Sequence, residues 1–304
     1  MTEQSSLSLS PTDKKQSACL PVQDEVLNKR YRLNKILGVG GMGVVYQASD
    51  LLLLSLGVNQ IHFAIKMLTR EALEYTDAGL LLVNEFTQAQ KLQHANILPI
   101  NQIDICQQSH NAFIVMPKME GEPLSMLLAS PFGITKEKER FVLASSLIFS
   151  VLHCHKKGVI HGDIKPENIM IDKNGHLTLF DFSISRSVNE KNNRCAIDFS
   201  KVHAWSGDYA APEVLAGTAP TIKSDQYSLC VLLYKLIFNI RHNANETPMV
   251  IDKNLKYVPL QAILISGMQR EPNQRHVNFT ELLSTLKVLK DELTQRRKNK
   301  FFFF

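Results

Sequence analysis

The sequence predicts an α+β fold made of two unequal lobes, and three observations support it. Residues 31 to about 103 follow a pattern that favours strands, with one helix-like stretch over 71–93. From residue 123 to 294 the apolar spacing is mostly helical. Between them, Pro117 and Gly121 end an apolar strand. A cleft between two lobes is a common place for a ligand, so we expect a binding site at this junction.

These patterns divide the chain into three parts. Residues 1–28 are rich in Ser, Thr, Pro and Lys, which is typical of a flexible tail, and residues 295–304 form a second tail. The folded domain is predicted over 29–294, with a small lobe, a linker and a large lobe at about 29–116, 117–121 and 122–294. The clearest helices of the large lobe are predicted over 136–155, 222–238, 258–268 and 279–293.

Composition excludes several classes of protein. The chain has 304 residues and is 44% hydrophobic, enough for a sizeable core. Basic residues exceed acidic ones by 34 − 29 = 5, without a long basic run outside the C-terminus, so we expect no nucleic-acid partner. The five cysteines include no Cys-x-x-Cys pair, which argues against a zinc site and favours a reducing compartment. The His153 and His155 pair is interpreted as structural.

Location is predicted from the same sequence. Apolar runs fall short of the ~20 residues that span a bilayer, and the N-terminus does not have the pattern of a secretory signal. We expect a soluble, cytoplasmic protein, with delivery into a host cell left open.

The C-terminal tail combines a basic stretch with four phenylalanines, Phe301 to Phe304. A loose tail is one interpretation. Docking in an apolar groove of the same protein is the sharper one that we favour, and peripheral contact with an anionic membrane is the weaker alternative.

Two acidic motifs carry the chemistry. His161 to Asn168 contains Asp163, and Asp181 opens the later Asp-Phe-Ser motif. Asp163 could accept a hydroxyl proton, while the oxygens of Asn168 and Asp181 are the hard ligands that Mg²⁺ prefers. The residues between them read as two short apolar strands joined by an Asn-Gly turn, so a hairpin is expected to space the motifs.

This segment resembles the catalytic and metal-binding loops of protein kinases, and Lys165 resembles the serine/threonine branch. The resemblance implies a bilobal protein-kinase-like fold that transfers the γ-phosphoryl group of Mg-ATP to a Ser or Thr hydroxyl of a protein substrate. It implies Asp163 and Lys165 as catalytic residues, and Asn168 and Asp181 as ligands of Mg²⁺, with Mn²⁺ as the alternative metal.

A glycine-rich segment marks the nucleotide end. Gly38, Gly40 and Gly43 have G-x-G-x-x-G spacing, and the β-branched and aromatic residues 44–46 continue as a strand, which favours a strand-turn-strand lid over a dinucleotide fold. The following Phe63 to Lys66 resembles the kinase strand whose lysine holds phosphates. The resemblance implies nucleotide contacts from Gly38, Val39, Gly40, Gly41, Gly43, Val45, Ala64, Lys66, Met116, Pro117 and Met119.

Glu85 is predicted to be the partner of Lys66. On a helix it shares a face with Leu81, Ala89 and Leu92, so an acid lies on the stripe that packs inward. A buried acid needs a cation. The resemblance then implies that Met116 guards the back of the adenine pocket, and that the backbone of 117–119 faces the base.

Residues further along the chain resemble the family's activation segment and its supports. The resemblance implies that Ser206 bonds the catalytic residues, that Asp225 anchors the catalytic loop, and that Arg275 pairs with Glu213. It extends from about residue 31 to 293 and is most similar to the bacterial serine/threonine kinases of eukaryotic type.

Two positions depart from the family pattern. Gly162 stands where most members have an arginine that reads a phosphorylated activation loop, so activation by loop phosphorylation is not expected. Ser183 replaces a glycine, which narrows the backbone freedom of this segment. They motivate a second hypothesis, a pseudokinase that acts as a nucleotide-binding scaffold. A small-molecule phosphotransferase is disfavoured by Lys165 and by the Ala-Pro-Glu motif ending at Glu213.

Overall fold

A computed structural model describes residues 24–40, 43–59, 61–69, 78–188, 207–240 and 255–301, without the side chains of residues 78 and 296–301. The two predicted lobes are present. Gly41 and Ser206, which the sequence analysis singled out, lie outside the described residues, as does Ser200.

The small lobe is an antiparallel sheet of six strands in the order β1-β2-β3-β4-β6-β5. A short helix, α1 (Leu51–Ser55), begins at Asp50, whose carboxylate accepts hydrogen bonds from the amides of Leu52 and Leu53. The strands are β1 (Val26–Leu27), β2 (Tyr31–Val39), β3 (Gly43–Asp50), β4 (His62–Leu68), β5 (Gln102–Ile105) and β6 (Ala112–Pro117).

One helix, α2 (Ala78–Ala89), packs on this sheet. Of the predicted apolar stripe, Ala89 is buried, Leu81 is only partly buried, and Leu92 lies beyond the helix in the core of the large lobe. Leu82 and Ala89 are buried in one cluster with Ala64 and Ile114 of the sheet. This packing fixes the orientation of every inward-facing side chain of α2, including that of Glu85, which is 3% exposed.

The large lobe is mainly helical and contains the largest core. Its centre is α4 (Glu137–Lys156) against α6 (Ile222–Phe238), both of which bury most of their apolar residues. A capping box at Thr221 and Ser224 begins α6, and Asn239 in the left-handed conformation ends it. The other helices are α3 (Leu124–Ala129), α5 (Pro212–Leu215), α7 (Val258–Gly267) and α8 (Phe279–Phe301).

Two small sheets carry the acidic motifs. The predicted hairpin is present as β9 (Ile169–Ile171) and β10 (Leu177–Leu179), with β7 (Glu122–Pro123) beside β9. Gly175 in its turn has a φ of +77°, a conformation that favours glycine. The second sheet pairs β8 (Val159–Ile160) with β11 (Arg186–Ser187). Each acidic motif therefore begins or ends at a strand of the large lobe.

Both predicted tail boundaries need correction. The N-terminal tail was predicted to extend to residue 28, but β1 pairs with β2, so the sheet begins earlier. The predicted end of the domain at 294 is also too early, because α8 continues to Phe301 and includes the basic stretch assigned to the tail. Phe302 to Phe304 lie outside the described residues, so docking of the tail stays a prediction. Within the described part of the chain, none of the helices has the length and apolar content needed to cross a membrane.

Candidate active site

Asp163, Lys165 and Asn168 form one cluster on the loop between β8 and β9. The Lys165 ammonium lies 2.7 Å from Oδ2 of Asp163. Asn168 donates from Nδ2 to the same Oδ2 at 2.8 Å and to the main-chain oxygen of Asp163 at 2.9 Å. These donors hold the Asp163 carboxylate in one orientation, as a group that receives a proton requires.

The side chain of Asp225, on α6, forms hydrogen bonds with the main chain of this loop. Its buried carboxylate accepts the amide hydrogens of His161 at 2.8 Å and Gly162 at 2.9 Å. His155 at the end of α4 also contacts it, with Nε2 2.8 Å from Oδ2. The predicted anchoring role of Asp225 is thus supported by its contacts, and the structural role assigned to His155 has a specific partner.

The side chain of His161, the first residue of the first acidic motif, contacts residues of both motifs. Burial lowers its pKa, so the ring is neutral near neutral pH. Because Nδ1 accepts the amide of Asp163 at 3.2 Å, Nε2 carries the hydrogen and faces the carbonyl of Phe180 at 3.3 Å. Phe182 packs on the ring at 4.7 Å between centroids. His161 thereby links the loop of Asp163 to that of Asp181.

The predicted pair of Lys66 and Glu85 is present and includes Asp181. The Lys66 ammonium lies 2.7 Å from Oε2 of Glu85 and 3.1 Å from Oδ1 of Asp181. These three residues come from β4, α2 and the segment after β10, so one cation joins three elements that are distant in sequence.

Burial and the neighbouring charges shift the pKa values of Lys66, Asp181 and Glu85 in opposite directions. Burial alone lowers the pKa of Lys66, but the charges of Asp181 and Glu85 outweigh it, so this pKa is raised. Burial raises the pKa of Asp181, but Lys66 reverses the shift and lowers it to about 2. For Glu85 burial dominates and raises the pKa to about 7, although Lys66 opposes it. The site therefore keeps a charged ammonium beside an ionised Asp181.

The two strands predicted around the glycine-rich segment are present, while residues 41 and 42 between them lie outside the described part of the chain. Gly38 and Val39 of β2 pair with Val45 and Val44 of β3, and the Gly40 amide donates to the Gly43 carbonyl at 2.8 Å. A Cβ at Gly43 would lie 2.6 Å from the main-chain oxygen of Met67, so only glycine fits against β4. Gly38 has open space around it, so the structure gives no packing reason for that glycine.

The predicted adenine region is apolar. Met116 is buried at the end of β6 in a cluster that includes Ala64, Val45 and Met119. Pro117 pairs with Phe63, and the linker follows it. Four residues proposed from separate parts of the sequence therefore pack in one apolar cluster.

The donor set fits a hard divalent cation. With a pKa of about 2, Asp181 offers an ionised carboxylate. Asn168 uses its amide nitrogen in both bonds to Asp163, which leaves its amide oxygen for another partner. The amide of Phe180 donates to the Asn168 carbonyl at 3.0 Å, which ties the two motifs together. Oxygen ligands of this kind suit Mg²⁺ or Mn²⁺.

A buried ion pair fixes the end of the activation segment. Both guanidinium ends of Arg275 contact the Glu213 carboxylate, at 2.6 and 2.7 Å. Arg275 is fully buried and stacks over the Tyr227 ring at 4.8 Å. This confirms the predicted pair, and the two-pronged geometry explains why arginine is required there.

Comparison with known proteins shows the family. Residues 31–298 match the protein kinase domain. The chain belongs to the protein kinase family. The family uses ATP and a divalent metal ion, which agrees with the donor set described above.

Several curated relatives are bacterial proteins. The chain is 27% identical over 281 residues to a probable serine/threonine-protein kinase of Clostridium acetobutylicum, covering 88% of this chain and 41% of that protein. It is 28% identical to the serine/threonine-protein kinase PknD of Protochlamydia amoebophila, covering 89% and 29%, and 26% identical to PrkC of Bacillus subtilis, covering 89% and 42%. This chain thus spans less than half the length of these relatives. The predicted similarity to bacterial kinases of eukaryotic type is confirmed.

Sequence reasoning missed Asn84, the neighbour of Glu85. It is 4% exposed and donates to two main-chain carbonyls of the segment that follows Asp181. Its polar side chain, next to an acid on the inward face of a helix, was a signal that could have identified it.

Proposed function

We propose that the protein is an ATP-dependent protein serine/threonine kinase. The observation that carries the proposal is the geometry of Lys66 between Glu85 and Asp181, together with Asp163 held by Lys165 and Asn168. In this proposal these six residues supply the charges, metal ligands and proton acceptor that phosphoryl transfer needs. The names of the relatives support serine and threonine as acceptors.

Each group has a defined task in this proposal. Lys66 neutralises phosphate oxygens of the bound nucleotide, and the amides of the glycine-rich turn cover the phosphates. Asp163 orients the substrate hydroxyl and accepts its proton, while Lys165 stabilises the transferred group. Asn168 and Asp181 would hold Mg²⁺ or Mn²⁺, which supplies positive charge at the phosphates. The cluster of Met116, Ala64 and Val45 would hold the adenine ring.

The two departures from the family pattern leave these groups intact. Gly162 donates its amide to Asp225, a contact that needs no side chain. Ser183 is buried, and its amide lies 3.4 Å from Oδ1 of Asp181. Neither residue provides a predicted ligand or proton acceptor, so we propose catalysis rather than a scaffold role.

Transfer of labelled phosphate from ATP to a protein or peptide substrate tests the proposal. We expect Asp163→Asn to lower the rate by about 10²–10⁴-fold, the usual contribution of a positioned acid or base. Glu139→Gln is the matched control, because it removes an acid from an exposed pair with Lys136 on α4. A native protein without transfer activity, or an Asp163→Asn variant with the native rate, would contradict the function.

A further inference from the structure

One face of α2 carries a row of polar side chains that have no role in the proposed catalysis. Asn84, Gln88 and Lys91 follow each other at helical spacing, with Lys91 just beyond the end of the helix. Asn84 and Gln88 are 4% and 1% exposed. Polar side chains this deeply buried require partners, so the row must serve a specific contact.

The partners are alternate residues of the segment after Asp181. Nδ2 of Asn84 donates to the main-chain oxygens of Ser183 at 3.1 Å and Ser185 at 2.7 Å. At the other end, the Lys91 ammonium lies 2.7 Å from Oγ of Ser187. Residues 183 and 184 form a turn and β11 begins at Arg186, so the three serines reach the row from a turn and the strand that follows it.

The row is also connected within itself. Nε2 of Gln88 donates to Oδ1 of Asn84 at 3.3 Å, and Lys91 donates to Oε1 of Gln88 at 2.8 Å. The side-chain oxygen of Asn84 therefore accepts a hydrogen bond from Gln88 on the same helix, and both its amide hydrogens are donated to carbonyls of the segment. Its orientation is fixed by three contacts, two of which cross between elements.

The position of Asn84 gives these contacts a consequence for the site. It adjoins Glu85 on α2, and its acceptors, Ser183 and Ser185, closely follow Asp181. Ser187 belongs to β11, which pairs with β8, and β8 leads directly into the loop of Asp163. Asn84 thus joins the helix that carries Glu85 to the segment that carries Asp181.

We propose that Asn84 is a positioning residue that keeps both Glu85 and Asp181 in contact with Lys66. The proposal rests on the proposed kinase function, whose catalytic geometry Asn84 would maintain. Because it acts through main-chain acceptors, Asn84 fixes the segment whichever side chains occupy residues 183 and 185. It touches neither nucleotide nor metal in this role.

Asn84→Ala and Asn84→Asp test the proposal. Alanine removes both hydrogen-bond donors. The nearly isosteric aspartate removes them as well and places an acceptor against two carbonyls. The kcat of both variants should therefore fall, and that of Asn84→Asp should fall further. For a residue that orients another ligand we expect a loss of about tenfold or more. Thr87→Ala is the control on the same helix, because Thr87 is exposed and bonds only the carbonyl of Val83. A native kcat in both Asn84 variants, measured well below their melting temperatures, would overturn the proposal.

A second measurement separates positioning from a loss of stability. In a Lys66→Met background the geometry that Asn84 maintains has lost its cation, so Asn84→Ala should cost kcat much less than in the native protein. Its effect on the melting temperature should persist in both backgrounds. Equal fold-losses of kcat in the two backgrounds would show that Asn84 is only structural.

Hydrogen exchange distinguishes failure of this proposal from failure of the kinase function. In Asn84→Ala, the amides of residues 183–188 should exchange faster, while those of α6 in the core of the large lobe stay protected. If the native protein transfers no phosphate, the proposed function fails, and exchange alone then decides the positioning proposal. Unchanged exchange over 183–188 would overturn it.

Discussion

A single ammonium group organises the candidate active site. Lys66 brings together carboxylates from α2 and from the segment after β10, and both lie within 3.1 Å of it. Burial of Glu85 without Lys66 would leave an uncompensated polar group, so the two residues depend on each other. This dependence explains why the pair could be predicted from an acid on an apolar stripe.

The mutual dependence of Lys66 and Glu85 leads to the first prediction. Either Lys66→Met or Glu85→Gln should disable the nucleotide site, so the two losses in phosphoryl transfer should be strongly non-additive in a double-mutant cycle. The coupling should exceed about 1 kcal/mol, within the range for contacting residues. Simple additivity would mean that the contact in the structure has no functional role.

The second prediction separates the two aspartates. Asp181 is a proposed metal ligand, whereas Asp163 is bound by Lys165 and Asn168 and faces the substrate hydroxyl. Asp181→Ala should therefore weaken Mg²⁺-dependent ATP binding more than Asp163→Ala does. Calorimetric titration with ATP and Mg²⁺ measures both, and titration without metal is the control. Equal losses of affinity would contradict these roles.

At the scale of elements, the sequence predicted whether a segment is a helix or a strand better than it predicted where that segment begins and ends. The α6 helix matches the prediction from residue 222 to 238, since Thr221 caps its start and Asn239 ends it. The short strand β1 was missed because two residues are too few to show the alternation of apolar and polar positions that identifies a strand. The extension of α8 was missed because its basic residues lack an apolar stripe, although lysine and arginine favour helices.

The candidate active site could likewise be predicted from the sequence only in part. Motif residues such as Asp163 could be assigned because their chemistry depends on spacing along the chain. Asn84 could not, because it acts on main-chain carbonyls that any sequence would provide. Its partners become visible only when α2 and the segment after β10 are placed together.

The third prediction concerns the segment between Asp181 and Glu213. At Gly162, which has a φ of +83°, there is no guanidinium to bind a phosphate on this segment. The main chain at Ser183 and Ser185 is instead held by the uncharged side chain of Asn84. Phosphatase-treated protein, and the joint variant Ser187→Ala/Ser200→Ala, should therefore keep most of the peptide-kinase rate. Loss of most of the rate in either sample would show that the inference from Gly162 is wrong.

At the scale of the whole molecule, the connection after α2 joins the two lobes. Main-chain bonds pair Asn96 and Leu98 with Leu179 of β10, at 2.8 and 3.0 Å. The ring of His94 packs on that of His153 of α4, with 5.0 Å between centroids. Because β10 leads directly to Asp181, this connection also fixes the distance between the small lobe and the acidic motif.

The histidine contact makes the stability of this junction depend on pH. Burial lowers the pKa of His153 below its ordinary value of 6.5, and the charges of His94, Lys157 and Lys156 lower it further. Between the folded and ordinary values, the unfolded chain binds a proton that folded His153 does not. The free energy of unfolding should therefore fall as the pH is lowered through 6.5.

The fourth prediction is that His153→Gln removes part of this dependence. Urea denaturation at a series of pH values between about 7.5 and 5 should give a shallower decline for the variant than for the native protein. His161, whose pKa burial also lowers, retains its own share of the decline in both proteins. His276→Gln is the control, since it replaces an exposed histidine outside this contact. An equal slope in His153→Gln would show that the contact between the lobes does not respond to protonation of His153.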